Sequence, residues 1–127
     1  MKKLLTLEEL AQFAIAIYGI TMLQVPFNTF ILVLIFFSPD VFMLGYLVNS
    51  KVGGMLYNFS HHKLTAIAMI SYGMVIGQTS ITVIGLLFYA HSSFDRILGY
   101  GLKYLDSFSH THLGYIGKEK LKNEAQS

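Results

Sequence analysis

The sequence predicts an all-helical integral membrane protein, a polytopic bundle with about four transmembrane helices. Of its 127 residues, 54% are hydrophobic and only 13% are charged, whereas a soluble domain carries about 25% charged residues. The charges are also unevenly placed, because none lies between Lys63 and Asp95 and no basic residue lies between Lys3 and Lys51. Such stretches exceed the ~20 apolar residues that cross a hydrocarbon core.

The first helix is predicted over about residues 7–23. Thr6 followed by Glu9 is a capping-box pattern, which places the helix start near Leu7. The first three residues resemble the start of a signal peptide. Glu8 and Glu9 then interrupt that pattern and no small-residue cleavage site follows, so we expect the helix to be retained.

The second span is predicted over about residues 26–48. Pro26 is suited to begin a helix, since a proline is tolerated in the first turn. Pro39 lies inside the span and lacks the backbone N–H that a helix interior requires. We therefore expect this helix to be kinked or divided at Pro39.

Two further spans are predicted over about residues 52–76 and 81–99. The third follows a turn at 49–51 and stops at a glycine, and the fourth ends in a glycine-containing segment. From about Asp106 the chain is polar and is expected to form a solvated tail. All four spans then belong to one membrane domain over residues 1–127.

The distribution of basic residues predicts the orientation. They fall at the N-terminus, in the turn between spans two and three, and on the C-terminal side: Lys2, Lys3, Lys51, Lys63, Arg96, Lys103, Lys118, Lys120 and Lys122. The positive-inside rule makes that face cytoplasmic, so the protein is expected in the cell membrane as a multi-pass protein with both termini inside. Lys103 and the tail lysines are expected to contact anionic lipid of the bilayer. A net charge of +2 argues against a nucleic-acid partner.

Polar residues of three predicted helices converge at one depth in this topology. Asp40 lies in span two, Asn58 and His61 share a face of span three, and His91 and Asp95 share a face of span four. At ~1.5 Å per residue, all lie roughly 6–14 Å from the cytoplasmic boundary. Carboxylates are costly at that depth unless they meet a donor or a cation. We interpret the five residues as a candidate catalytic site.

The same layer offers metal ligands. His61, His91 and Asp95 are candidates, and His112 joins them if the segment after span four folds back. The chain has no cysteine, and histidine with carboxylate suits a divalent transition metal such as zinc, iron or manganese. The spacing matches no standard metal-binding motif.

Three functions are compatible with this layer. It could form a metal-dependent membrane enzyme that acts on a lipid-like substrate, because a metal beside carboxylate and imidazole activates water. It could bind an ion, or hold a haem between His61 and His91, which we consider the weaker cofactor hypothesis. The same polar groups could instead only join the helices by hydrogen bonds, with no catalysis.

Four blocks of the chain carry a family resemblance. They are "SPDVFMLGYL" (38–47), "VGGMLYNFSHH" (52–62), "AHSSFDRILGYGLKY" (90–104) and "SHTHLG" (109–114). Their order and content resemble the domain of unknown function 4260 family, over about residues 7–117. The resemblance implies a short bacterial integral membrane protein and supplies no activity. The family pattern includes the candidate residues Asp40, Asn58, His61, His91, Asp95 and His112.

Overall fold

The computed structural model describes residues 1–126, which are helical except for one small hairpin and its connections. The helices are α1 (Lys2–Thr21), α2 (Thr29–Phe37), a 3-10 helix (Ser38–Leu47), α3 (Ser50–His61), α4 (Lys63–Ile76), α5 (Thr79–Leu98) and α6 (Gly117–Gln126). The strands are β1 (His110–Thr111) and β2 (Gly114–Tyr115), which pair antiparallel. The all-helical prediction is confirmed.

Helix α1 begins earlier than the capping-box pattern predicted. It starts at Lys2 rather than near Leu7, and Thr6 lies inside the first turns. The Thr6 hydroxyl donates to the carbonyl of Lys2 at 3.0 Å, so it bonds back within the helix instead of capping it. The prediction of the start at Leu7 was therefore wrong.

The second predicted span changes geometry beside its proline. Asn28 caps α2 by accepting from the N–H of Ile31 at 2.9 Å. The α-helix ends at Phe37, and the chain from Ser38 to Leu47 continues as a 3-10 helix with Pro39 in its first turn. Because Pro39 cannot donate to the α-helical ladder, the division lies where the sequence predicted it.

The third predicted span is two helices and not one. His62 is extended, with φ −82° and ψ 127°, and it separates α3 from α4. Its Nδ1 accepts from the N–H of Leu64 at 3.1 Å, which caps the start of α4. The N–H groups freed by the break are thus partly satisfied by a side chain. The prediction of a continuous helix over 52–76 was wrong because histidine was not recognised as a cap.

The helices pack around α5. α5 contacts α1, α2 and α4, whereas α3 packs mainly against the 3-10 helix. Gly73 and Gly85 allow α4 and α5 to approach closely, since a Cβ on Gly73 would lie 2.5 Å from the backbone nitrogen of Thr82. Val83 and Leu87 of α5 form a buried core with Ile20 of α1.

Two helical stretches of the described chain are long and apolar enough to cross a membrane. They are Lys2–Thr21 and Thr29–Leu47, the second comprising α2 and the 3-10 helix. The apolar helix α4 has 14 residues and rises only about 21 Å. Of the four predicted spans, two therefore meet the criterion of length and hydropathy.

The segment after α5 is folded onto the bundle end. The N–H of Tyr104 donates to the carbonyl of His110 at 2.9 Å, and the N–H of His112 donates to Leu102 at 2.9 Å. The β1–β2 hairpin is thereby joined to residues 102–104. The segment that the sequence predicted to be a solvated tail begins with this ordered hairpin, and α6 follows it with no buried residue.

Candidate functional site: a histidine and aspartate cluster

Two histidines and two aspartates meet in one cluster, in which His61, His91 and Asp95 are buried and the Asp40 side chain is 44% exposed. Asp40 comes from the 3-10 helix, His61 is the last residue of α3, and His91 and Asp95 lie one turn apart on α5. One ligand atom from each residue lies within 4.8 Å of all the others. His61 and His91 are almost completely buried, with 0% and 1% of their surfaces exposed. We call these four residues the His/Asp cluster.

Five of the six distances among the ligand atoms of the cluster lie between 3.1 and 3.5 Å. His61 Nε2 lies 3.1 Å from His91 Nε2, 3.2 Å from Asp40 Oδ1 and 3.3 Å from Asp95 Oδ2. His91 Nε2 lies 3.2 Å from Asp40 Oδ1 and 3.5 Å from Asp95 Oδ2. Ligands about 2.1 Å from one metal ion lie roughly 3.0 Å apart at right angles and roughly 3.4 Å apart at tetrahedral angles. These five distances match the spacing of ligands to a single ion, and the two aspartate oxygens lie within 4.8 Å of each other.

The local sequence explains why each side chain reaches the cluster. The 3-10 winding after Pro39 carries Asp40 toward α3 and α5. The break at His62 ends α3 at His61, whose imidazole therefore lies at a helix C-terminus, where the helix dipole favours positive charge. The i, i+4 spacing of His91 and Asp95 places both on one face of α5.

The hydrogen bonds of His61 define which ring nitrogen faces the cluster. Nδ1 lies 2.9 Å from the carbonyl of Tyr57 and 2.8 Å from the hydroxyl of Ser60. The Tyr57 ring stacks on the imidazole at 3.8 Å, with 12° between the planes. An Nδ1–H donated to the Tyr57 carbonyl leaves the Nε2 lone pair pointing into the cluster, as a metal ligand requires.

His91 is held by aromatic rings and not by hydrogen bonds at its outer nitrogen. Its ring contacts Phe36 and Phe37 edge-on, at centroid distances of 5.3 and 6.3 Å. Within residues 1–126, its buried Nδ1 has no hydrogen-bond partner. Its Nε2 makes all of the polar contacts of this side chain.

Tyr57 completes the surroundings of the cluster. Its hydroxyl donates to Asp95 Oδ2 at 3.2 Å, and its ring covers His61. The sequence analysis did not include Tyr57 among the site residues. The signal that points to it is its position four residues before His61, which puts both side chains on one face of α3.

The structure places two predicted site residues outside the cluster. Asn58 instead clamps the backbone of Lys103, accepting from its N–H at 2.6 Å and donating to its carbonyl at 2.7 Å. His112 Nδ1 accepts from the N–H of Leu102 at 2.8 Å, and His112 is not part of the His/Asp cluster. Burial, with help from the Arg96 cation, lowers the pKa of His112, so its imidazole is neutral at pH 7.

A second histidine–aspartate contact lies on the surface, away from the cluster. His110 Nδ1 is 2.8 Å from Asp106 Oδ2, and the hydrogen bond from His110 lowers the pKa of Asp106. The pair repeats the i, i+4 spacing of His91 and Asp95. Within the described residues 1–126, it contacts no second aspartate and no second histidine, so it makes a natural control for the cluster.

The cluster opens into a cavity of about 530 Å³. Asp40, His91 and Asp95 line it together with Lys103 and mostly apolar side chains, including Phe37 and Phe94. Lys103 is 4% exposed and lines this cavity, whereas the sequence predicted that it extends toward anionic lipid of the bilayer. The hairpin after α5 covers it.

The fold and the cluster define an all-helical protein with a buried histidine and aspartate site and two helical stretches fit to cross a membrane. The chain belongs to the family described as Domain of unknown function (DUF4260), whose model matches residues 2–116. This confirms the family resemblance of the sequence blocks. No curated protein and no solved structure matches the chain.

Proposed function

We propose that this protein is a multi-pass membrane enzyme that holds one divalent transition metal in the His/Asp cluster and acts on a lipid-like substrate. The observation that carries the proposal is the set of five nitrogen–nitrogen and nitrogen–oxygen distances of 3.1–3.5 Å among four side chains from three segments. Residues this far apart in sequence meet at ligand spacing only because the fold brings them together.

Exposed apolar side chains support the membrane part of the proposal. Ile15 of α1, Phe30 of α2 and Val75 of α4 are 70%, 71% and 84% exposed. In each of the two stretches fit to cross a membrane, only 11% of the apolar segment is buried inside the protein. A core helix of a soluble protein would bury such residues, whereas a lipid-facing helix exposes them.

The positions of the helix ends support a common side for both termini. The start of α1, the end of α5 and helix α6 all contribute to one cavity of about 800 Å³, through Lys2, Arg96 and Lys120 among others. The first and last segments thus lie at one end of the bundle. That end carries most of the basic residues, so we assign it to the cytoplasm.

The electrostatics of the cluster support a bound cation. Two carboxylate oxygens and two imidazole nitrogens face one another, and three of the four residues that carry them are buried. With the Nδ1–H of His61 donated to Tyr57, its Nε2 lone pair faces the lone pairs of both aspartates. Their repulsion requires a proton or a metal ion between them. Two nitrogen and two oxygen ligands suit zinc, iron or manganese.

The cavity supports a reaction on an amphiphile. Its volume is in the range of about 300–1,000 Å³ typical of ligand sites, and its walls combine the cluster with Phe37, Phe94 and Leu98. A divalent metal supplies Lewis acidity and an activated water. In this scheme all four side chains hold the ion, and Asp40, which is the most exposed member of the cluster, uses its second carboxylate oxygen to exchange protons with the substrate.

The haem alternative is disfavoured by the distance between the imidazoles. Iron held between two axial histidines separates their nitrogens by roughly 4 Å. The two Nε2 atoms lie 3.1 Å apart, and their rings meet at 65°. They are placed as neighbouring ligands of one ion and not as opposite axial ligands.

A structural role is the second candidate, because His–Asp distances of 3.2 Å are also those of hydrogen bonds. In that case shared protons hold the 3-10 helix, α3 and α5 together. His91→Ala and Asp95→Ala would then destabilise metal-free protein with strong non-additivity in a double-mutant cycle.

Elemental analysis of detergent-purified protein tests the proposal. We expect a stoichiometric transition metal in the wild type and its loss in His91→Ala and Asp40→Asn. His110→Ala is the matched control, because it removes a histidine from a surface aspartate contact and should keep the metal. A folded wild type that stays metal-free after incubation with zinc, manganese and ferrous iron would contradict the metal hypothesis. The structural role of the cluster would then remain.

A further inference from the structure

Lys103 is held in place by a dedicated backbone clamp. Asn58 of α3 accepts from the Lys103 N–H at 2.6 Å and donates to the Lys103 carbonyl at 2.7 Å. Lys103 also pairs with Thr111 of strand β1 in the hairpin. A lysine that only extended toward lipid headgroups would need no such clamp, since its side chain would reach the interface by itself.

The ammonium group of Lys103 is buried without a carboxylate partner. Nζ donates to the carbonyl of Phe108 at 2.9 Å and lies 3.7 Å from the centroid of the Phe108 ring and 4.8 Å from that of Tyr57. Across residues 1–126, no carboxylate oxygen lies within 4.0 Å of it. An ammonium has three protons to donate, and one hydrogen bond uses only one of them.

Buried lysines are normally paired, because the charged form is costly to take out of water. Burial lowers the pKa of Lys103 to about 8, and Asp95 opposes the change. The side chain therefore remains cationic at pH 7. The fold keeps a positive charge beside the His/Asp cluster. The groups that contact the ammonium are a carbonyl and two aromatic rings, which do not neutralise its charge.

Lys103 lines the same cavity of about 530 Å³ as Asp40, His91 and Asp95. Tyr57 joins the two groups, since its hydroxyl bonds Asp95 and its ring lies under the Lys103 ammonium. Two aspartates and a divalent cation together are neutral, so Lys103 gives the occupied cavity a net positive charge. Phe37, Phe94 and Phe108 supply an apolar wall beside it.

We propose that Lys103 binds the anionic headgroup of a phosphate-bearing amphiphile in this cavity, next to the His/Asp cluster, with the apolar part of the ligand along the phenylalanine wall. The proposal rests on the proposed function and names its substrate class. Phosphate supplies the acceptor oxygens that the unused ammonium protons require. The apolar wall distinguishes an amphiphile from free phosphate.

The test measures binding of soluble probes to protein in a non-ionic detergent by calorimetric titration. The probes are dihexanoyl phosphatidic acid, the zwitterionic dihexanoyl phosphatidylcholine and inorganic phosphate. We expect phosphatidic acid to bind most tightly and Lys103→Met to weaken it by about tenfold or more, as loss of a charge-assisted hydrogen bond does. Lys51→Met is the matched control, because Lys51 is exposed in the first turn of α3 and lines neither cavity.

Each result bears on the inference. Equal binding of phosphatidic acid and phosphatidylcholine, or equal binding by wild type and Lys103→Met, overturns it. Binding of inorganic phosphate as tight as that of phosphatidic acid, with the same dependence on Lys103, retains the anion site but overturns the amphiphile. Lys103→Met must remain folded at the pH of the titration, as a cooperative thermal unfolding transition shows. If it does not fold, Asn58→Ala, which releases the clamp, replaces it and is expected to weaken binding in the same direction.

The titrations are repeated after EDTA treatment, which separates this inference from the metal hypothesis. Protein that never holds a metal but still binds phosphatidic acid through Lys103 contradicts only the metal centre. Protein that holds the metal but binds phosphatidic acid independently of Lys103 contradicts only the inference.

Discussion

At the scale of single residues, the site depends on side chains that each contact two different groups. Tyr57 donates to Asp95 and stacks on His61, and His61 uses one nitrogen for the Tyr57 carbonyl and the other for the cluster. Asn58 was predicted to be catalytic and instead fixes Lys103. The sequence thus predicted that His91 and Asp95 share a face and that polar side chains converge at this depth, whereas the contact of Asn58 with Lys103 depends on the fold.

The hydroxyl of Tyr57 is expected to strengthen metal binding. Tyr57→Phe removes the 3.2 Å hydrogen bond to Asp95 and keeps the ring on His61. Loss of such an outer hydrogen bond lowers metal affinity by about 10- to 100-fold. Competition with a fluorescent zinc chelator measures it. Tyr46→Phe is the control, because the buried Tyr46 hydroxyl has no hydrogen-bond partner in residues 1–126; equal losses in both variants would contradict the role of Tyr57.

The buried cation of Lys103 is expected to make stability depend on pH. Burial lowers the pKa of Lys103 from 10.5 to about 8, so the unfolded chain binds more protons than the folded one between those values. Stability therefore rises with pH across that window. We expect the melting temperature of the wild type, minus that of Lys103→Met, to increase from pH 8 to pH 10.5. A constant difference in melting temperature would show that the pKa of Lys103 is the same in the folded and unfolded states.

At the scale of elements, backbone breaks decide where the functional side chains lie. The change to 3-10 winding at Ser38 and the extended residue His62 interrupt two spans that composition alone makes continuous. Each break delivers one cluster residue, Asp40 in the first case and His61 in the second. The break at Pro39 is predictable from the sequence, because proline lacks the N–H that an α-helix requires. The break at His62 involves no proline. It arises from the His62 side chain, which caps the N–H of Leu64, and from the contacts of Lys63 with Glu9 and Gln12.

Close packing of α4 on α5 is expected to require Gly85. A Cβ there would lie 2.8 Å from the backbone nitrogen of Ile70 and 3.0 Å from the carbonyl of Ala66. Gly85→Ala must separate the helices, and overpacking of this kind costs about 1–3 kcal/mol. Thermal unfolding in detergent measures the loss.

Gly19→Ala is the matched control for that prediction. A Cβ at Gly19 would lie 3.7 Å from the side chain of Leu86, which is an ordinary contact. Alanine also favours the helix over glycine by up to about 1 kcal/mol. We expect this variant to be neutral or more stable, and a loss equal to that of Gly85→Ala would contradict the packing argument.

At the scale of the whole molecule, the start of α1, helix α6 and the C-terminal turns of α5, which carry His91 and Asp95, lie toward one end of the bundle. Lys2 at the start of α1 and Lys120 in α6 line one cavity with the end of α5. The opposite end carries the turns around Gln24 and Gln78, both of which are exposed. This arrangement is the one that the proposed four-span topology requires.

Cysteine labelling tests this topology, because the chain has no cysteine of its own. We expect Gln24→Cys and Gln78→Cys to react with a membrane-impermeant maleimide in intact cells. Lys118→Cys and Lys51→Cys should react only after the membrane is opened. Labelling of Lys118→Cys in intact cells would place the C-terminus outside and reject the orientation.

The sequence by itself determined the helical class, the family and the types of residue that form the cluster. Runs of apolar residues, a proline and i, i+4 spacing act locally, so they can be interpreted without a partner. Only the tertiary structure decided that Asp40, His61, His91 and Asp95 meet while Asn58 and His112 do not. It also decided that Lys103 is buried in the same cavity. Those outcomes depend on how helices dock and where the chain is interrupted, which is set by contacts between residues far apart in sequence.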